Sequence, residues 1–273
     1  MIEISEAEIT YYKESLRNEC RYDGRNLCDF RPVTFTEDSL LFPNALYGVR
    51  VSIPDSKSSL MIAINADIVE TKMNDQGVPI DDTFIEIELH TSGSKRQNEA
   101  NVEQSATMRE IKDLIQKFII KNINTQKLKL YEDKLHWKIA CDIYLVGKLY
   151  LNDVDYIFKG IRACFSNCRF PKVLVNFNSW TEEYTYEIVS NDEVLFTKDL
   201  FPSVYVVGEI EGKVVLDLSK DELQAVDSYY ILALNHLGEI IDIEKLDGNP
   251  VGINKLGSFV SKLTELSGHL LNM

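Results

Sequence analysis

Between residues 83 and 146 the hydrophobic period changes twice, and a chain with that pattern has to set strands and helices side by side. In TFIEIEL, Ile85, Ile87 and Leu89 alternate with Glu86 and Glu88, the period of a half-buried strand over 83–89. From Glu99 to about Asn122 the spacing becomes helical. Met108, Ile111, Ile115 and Phe118 share a face, while Arg109, Lys112 and Asp113 lie off it. LHWKIACDIYLV then returns to period two, with Trp137, Ile139, Cys141, Ile143 and Leu145 on one side.

The same alternation of elements continues on both sides of this block. Ile9, Tyr12 and Leu16 predict a helix within 5–19, capped by Ser5 and running into the Asp23-Gly24 turn. Strand signals follow at 46–53 and 60–69. A helix over about 153–168 presents Val154, Ile157, Phe158, Ile161 and Phe165 and stops before Pro171, ahead of the strand KVLVNF. Further strands are expected at 184–189, 203–210 and 213–218. A hairpin turns at Asn235–Gly238 within YYILALNHLGEIIDIEKL. Ile253, Leu256, Phe259, Val260, Leu263, Leu266 and Leu270 share one face of a closing helix. The pattern predicts an α+β fold with mixed sheets, packed helices and two related lobes. No Pro- or Gly-rich linker separates the lobes.

Composition narrows the function classes. Lys and Arg total 29 against 43 Asp and Glu, a formal charge of −14, the reverse of a free-standing nucleic-acid binder. Contact with RNA or DNA would need a local basic patch or cations from partner subunits. No stretch approaches the about 20 apolar residues of a membrane span, so no membrane contact is expected. The five cysteines, Cys20, Cys28, Cys141, Cys164 and Cys168, form no framework, and the reading is of reduced thiols in a soluble intracellular chain.

No glycine-rich phosphate loop, HExxH or paired CxxC is present. Cys164 and Cys168 lie four apart on one helix but lack a matching ligand pair, so neither metal nor cofactor is expected. His90, His136, His236 and His269 are scattered and read as ordinary strand or surface residues. Asp142 is the one acid inside an apolar strand. It points away from the Trp137–Cys141 face, either as a general acid or base lining a cleft or as a residue on the wetter side. Arg21, Arg25 and Arg31 flank the Gly24 turn. Their forks suit a phosphate or carboxylate clamp, and equally suit ion pairs with Asp23, Asp29 or an acidic neighbour. Lys95 and Arg96, in a polar loop between strand and helix, offer a better shape for nucleic-acid contact, though they are only two charges.

Taken in order, RYDGRNLCDFRPV, CDIYLV with DVDYIFKGIRACFSNCRFPKVLV, and VVLDLSKDEL before a hairpin resemble the RNase PH family, in particular the non-catalytic ring subunits of the RNA exosome. The resemblance covers about residues 10 to 270. It implies an N-terminal helix and arm over 1–22 and one RNase PH-like domain over 23–273, with βαβα-type lobes over about 28–178 and 183–273. It further implies a hetero-hexameric ring of RNase PH-like subunits around an RNA channel, with cap subunits that carry RNA-binding domains and an associated hydrolytic nuclease. The place would be the nucleus, nucleolus included, and the cytoplasm.

Active members of the family cleave RNA with inorganic phosphate, held by an arginine beside a carboxylate that assists the departing oxygen. Where they resemble RLIGRSLR this chain has DLIQKFII, placing Lys117 at the first internal arginine and Ile120 at the phosphate-holding one. Where they resemble DCDVLQADGG it has ACDIYLVGKL. Asp142 keeps the middle acid, Ala140 and Gly147 replace the other two, and Lys148-Leu149 replaces the glycine pair. The resemblance therefore implies a subunit that is not an enzyme, with Asp23, Arg25 and Arg31 as structural or interface residues. Two alternatives are a working phosphorolytic exoribonuclease using Asp142 with Lys117 or Lys148, and an acidic scaffold unrelated to RNA.

Overall fold

A computed structural model describes residues 5–37, 42, 44–52, 59–71, 84–91, 99–120, 125–131, 134–147, 150–180, 183–193, 195–196, 201–249 and 253–270, without the side chains of 91, 99–105, 125, 191–193, 253–256 and 268–270. Helix α1 (Glu6–Arg17) starts where Ser5 accepts from the Glu8 amide and Glu8 accepts from the Ser5 amide at 2.7 Å, a reciprocal cap. Asn18 ends it, and Glu19 takes a left-handed φ of 59°. Most of α1 is exposed, with Leu16 its fully buried residue.

Six strands form the first sheet: β1 (Thr34–Glu37), β2 (Tyr47–Ser52), β3 (Ser59–Glu70), β4 (Ile85–Thr91), β5 (Lys129–Tyr131) and β6 (Leu135–Val146). Their order is β1-β2-β3-β6-β4, with β5 beside the start of β6. Neighbours are antiparallel except β4 and β6, which run parallel. Parallel neighbours need a crossover, supplied by helix α2 (Glu99–Phe118). Along β6 the expected residues, Trp137 to Leu145 in alternation, are buried. Lys138, Ala140, Asp142, Tyr144 and Val146 make up the opposite face.

Helix α3 (Val154–Asn167) is buried nearly all round. It packs on β2 and β3 on one side and on β9 (Ser203–Ile210) on the other. The one-faced pattern read from the sequence understates this, because Asp155, Tyr156, Gly160 and Cys164 are buried as well. Phe165 clusters with Phe196, at 5.3 Å, and Phe201, at 5.1 Å. Each fully buried ring of this kind contributes about 1.5–3 kcal/mol.

The second sheet has the order β10-β9-β11-β12, all antiparallel, with β10 (Lys213–Leu216), β11 (Ser228–Leu234) and β12 (Ile240–Gly248). In β9 the alternate residues serve two cores. Val204 and Val206 join the large cluster around α3. Tyr205 and Val207 join a smaller one with Phe259 and Leu263 of helix α5 (Ile253–Leu270). A strand buried on both faces reads as a continuous apolar run, as SVYVVGEI does. The layers are thus sheet, helix, sheet, helix, and the middle helix is shared.

Strands β7 (Phe170–Asn178) and β8 (Glu183–Glu193) form a separate two-stranded ribbon. The expected lobe division between 178 and 183 falls in the turn of this hairpin. The ribbon exposes Leu174, Phe177, Tyr186 and Ile188, with Trp180 at its turn 95% exposed. A short helix, α4 (Lys220–Leu223), begins with Ser219 accepting from the Glu222 amide. Sequence patterning missed both α4 and β1, each only four residues long. Among the described residues no helix is long and apolar enough to cross a membrane.

The fit between α3 and the first sheet depends on Gly160. A Cβ there would lie 2.6 Å from Ile62 Cδ1 and 2.9 Å from Val51 Cγ2. Gly160→Ala is expected to lower stability by about 1–3 kcal/mol through overpacking, read as a reduced urea midpoint with an unchanged slope.

Candidate functional site

Two clusters gather most of the described residues that the sequence marks for chemistry: the outer face of the first sheet and the docking site of the N-terminal arm. On the outer face, the parallel register sets Glu86 opposite Ala140, Glu88 opposite Asp142 and His90 opposite Tyr144. Period two puts Glu88 and His90 on the same side of β4. His90 Nε2 lies 3.2 Å from Asp142 Oδ1 and 3.6 Å from Glu88 Oε2. The imidazole stacks on Tyr144 at 4.7 Å, and Tyr144 stacks in turn on Phe42 at 5.9 Å. Burial, then the charges of Asp142 and Glu88, raise the Tyr144 phenol above its usual pKa. Lys138 pairs with Glu86 at 2.8 Å, so it does not serve Asp142. His90 is a strand residue, as expected, and strand pairing places it beside Asp142, a neighbour that sequence spacing does not show.

Lys117 and Ile120 sit at the end of α2, away from this cluster in their bonding. Lys117 Nζ reaches across to the second sheet, 2.5 Å from Asp242 and 2.8 Å from Glu244 on β12. Hydrogen bonds to those two acids raise its pKa. Ile120 is half-buried. It lines a cleft of about 300 Å³ between β4 and α2, shared with Glu86, Glu88 and Lys112. Gly147 follows β6 with a φ of 107°, a backbone conformation suited to glycine. Lys95, Arg96, Lys148 and Leu149 lie outside the described residues.

The N-terminal arm is held by guanidinium forks. Arg21 is 2% exposed and grips Glu222 through Nε at 2.8 Å and Nη2 at 2.5 Å, while also donating to the carbonyls of Leu216 and Asp217. Arg31 grips Asp217 through Nε at 2.9 Å and Nη2 at 2.7 Å, and its amide donates to the same carboxylate. Arg25 bridges Asp23 at 2.7 Å and Asp217 at 2.8 Å. Tyr156 of α3 adds its hydroxyl at 2.8 Å. Of the partners expected from the sequence, Asp23 is found. Asp29 contributes its carbonyl to Arg25 and its carboxylate to Asn26 instead. The main partners, Asp217 and Glu222, stand in the VVLDLSKDEL segment, and sequence distance hid the pairing.

Burial opposes ionisation of Asp217, but the hydrogen bonds and charge of Arg31 outweigh it and hold the carboxyl below its usual range. Two neighbouring acids behave oppositely. Burial raises Asp153 to about 6, against a backbone hydrogen bond from Tyr150 and the charge of Arg31. Burial raises Asp155 to about 8, against the charge of Lys159. Asp155 accepts from the Val206 amide through Oδ1, while its Oδ2 has no partner. The thiols of Cys141, Cys164 and Cys168 are all raised by burial in the apolar core, a setting that disfavours thiolate and hence metal ligation.

No protein-family model matches the sequence, and no curated protein does. Solved structures do match. One described as the archaeal exosome core aligns at a TM-score of 0.63 and 14% identity, over 97% of this chain and 95% of its own. Another, the exosome of Archaeoglobus fulgidus with RNA bound to the active site, aligns at 0.61 and 15%, over 97% and 96%. At this identity the likeness is one of fold. The chain has the mixed α/β fold of exosome RNase PH-like subunits, along nearly its whole length.

Removing one partner of a buried ion pair leaves the other uncompensated, so Asp217→Ala is expected to destabilise by about 3–5 kcal/mol in urea unfolding. Asp155 gives a pH signature of opposite sign to Asp217. Its folded pKa is raised, so its contribution is fully present below about pH 4 and is lost as pH rises through about 8. Asp155→Asn should therefore gain stability relative to the parent between pH 5 and 8.5, measured by urea unfolding across that range.

Proposed function

We propose that this chain is a non-catalytic subunit of an exosome-type core ring, shaping a channel that delivers RNA for 3′–5′ processing and degradation. The observation that carries the reading is the fold alignment over 97% of the chain to exosome core structures, joined to the chemistry of the residues at the family's active positions. Phosphorolysis needs a fixed cation to hold phosphate beside a carboxylate. Ile120 offers no charge, and Lys117 is engaged by Asp242 and Glu244. Asp142 is surrounded by Glu88, His90 and Tyr144 rather than by a guanidinium. By themselves these side chains offer no fixed cation and repel the dianion that the reaction consumes.

Assembly with other RNase PH-like chains fits the surface. The β7–β8 ribbon leaves Leu174, Phe177, Trp180, Tyr186 and Ile188 exposed, a surface that a ring neighbour would cover. With −14 of formal charge, the chain would rely on more basic neighbours for RNA contact. In the finer reading it is a subunit of the ribosomal-RNA-processing protein forty-three type, with the forty-two type as runner-up. It would work in nucleus, nucleolus and cytoplasm beside RNA-binding cap subunits and a hydrolytic nuclease.

Two measurements test this. Native mass spectrometry of the tagged protein from its own cells should show a stoichiometric assembly with several other chains of the same fold. A monomer or homo-oligomer overturns the ring assignment. The purified chain given RNA and inorganic phosphate should release no nucleoside diphosphate, and phosphate-dependent release from it alone overturns the non-catalytic assignment.

A further inference from the structure

We infer that Glu88, His90 and Asp142, converging on the outer face of the first sheet, form a binding site for one divalent transition-metal ion of the zinc or manganese class. The geometry is the first reason. Donor atoms bound to one such ion at about 2.0–2.2 Å lie about 3.0–3.5 Å apart along the edges of a tetrahedron or octahedron. His90 Nε2 stands 3.2 Å from Asp142 Oδ1 and 3.6 Å from Glu88 Oε2, and ligand atoms of all three lie within 4.8 Å of one another. Little movement is needed to close the set around an ion, and Glu88, the most exposed of the three at 63%, is the side chain free to make it.

The second reason is electrostatic. Two carboxylates are brought together by the register of β4 against β6, and among the described residues no lysine or arginine pairs with either. The nearest cation along the strand, Lys138, is taken by Glu86. This contrasts with the arm, where every buried acid of the Asp217–Glu222 pair meets a guanidinium. An ion would supply the missing counter-charge.

The third reason is preorganisation. The His90 ring is held by stacking on Tyr144, itself stacked on Phe42, so the imidazole is oriented before any ion arrives. One imidazole with two carboxylates is a mixed nitrogen and oxygen set. It suits zinc, manganese, cobalt or nickel better than calcium, which takes oxygen ligands in greater number. Three protein ligands leave at least one coordination position open to water or another oxygen donor. The side chains remain partly accessible, with Asp142 at 23% and His90 at 38%, so an ion can enter from solvent.

The inference does not rest on the ring reading, and its test uses neither RNA nor phosphate. Zinc chloride and, separately, manganese chloride would be titrated calorimetrically into the chelator-treated full-length chain at pH 7.5, beside His90→Ala and Glu88→Gln. Glu88 is exposed and His90 half-buried on the outer face of the sheet, outside the apolar core, so the variants should keep the parent's circular dichroism. One ion per chain is expected for the parent, with binding at least tenfold weaker in each variant. His90→Ala keeps every carboxylate and all five cysteines, so a loss there separates this site from diffuse attraction to an acidic surface. As a second readout, cobalt(II) should give visible absorption bands in the parent that are lost in His90→Ala. No uptake by the parent, or equal uptake by His90→Ala, overturns the site.

Discussion

Asp217 is a single carboxylate that receives the Arg31 amide, two nitrogens of the Arg31 guanidinium, one of Arg25 and the hydroxyl of Tyr156. Taking a charge of this kind out of water costs several kcal/mol, and only saturation of its lone pairs recovers that cost. The carboxylate is placed to be saturated because Asp217 itself adopts a left-handed φ of 45°, which aspartate tolerates better than most side chains. Through it the arm, helix α3 and the end of β10 are fixed to one point. Arg21 and Glu222, five residues beyond Asp217, repeat the device, so the arm is clamped twice. Were these groups apolar, the arm could settle at many positions over the second sheet; the forks allow one.

The same economy of position governs the core. Helix α3 touches both sheets, and β9 turns alternate residues to α3 and α5. Each of these two elements therefore has two partners, so β9 is apolar on both faces and α3 is buried well beyond one stripe, with Lys159, Arg162 and Ser166 on its wetter side. The outer face of the first sheet is the exception. It mixes charged residues with exposed Tyr144 and Val146, and there β4 and β6 bring Glu88, His90 and Asp142 into one place.

Much of the secondary structure was legible because period two and period 3.6 are strong signals in long segments. Strands 47–52, 59–70 and 135–146, the helix at 154–167 and the 235–238 turn lie close to where patterning puts them. Four-residue elements such as α4 carry too few repeats to show a period. The sites were harder to read for a different reason. Asp142 stands out in its own strand, but its neighbour His90 lies 52 residues away, and Arg31 and Asp217 are separated by 186. Spacing along a chain records local geometry, whereas these pairs are made by sheet register and by docking. The place of Ile120 and Lys117 against a family motif came from a resemblance, and the structure adds what each touches.

The two-sided burial of α3 also bears on how the chain is made. A ribosome releases the first sheet and α3 well before it has synthesised β9 and β11, which cover the helix's second side. Until then half of that helix, and the arginine-bearing arm ahead of it, face solvent or whatever binds nascent chains. Contacts spanning most of the sequence close last and slow the search for the native state. Folding of this protein is thus a waiting problem, in which an early-made centre stays open until a late-made wall arrives.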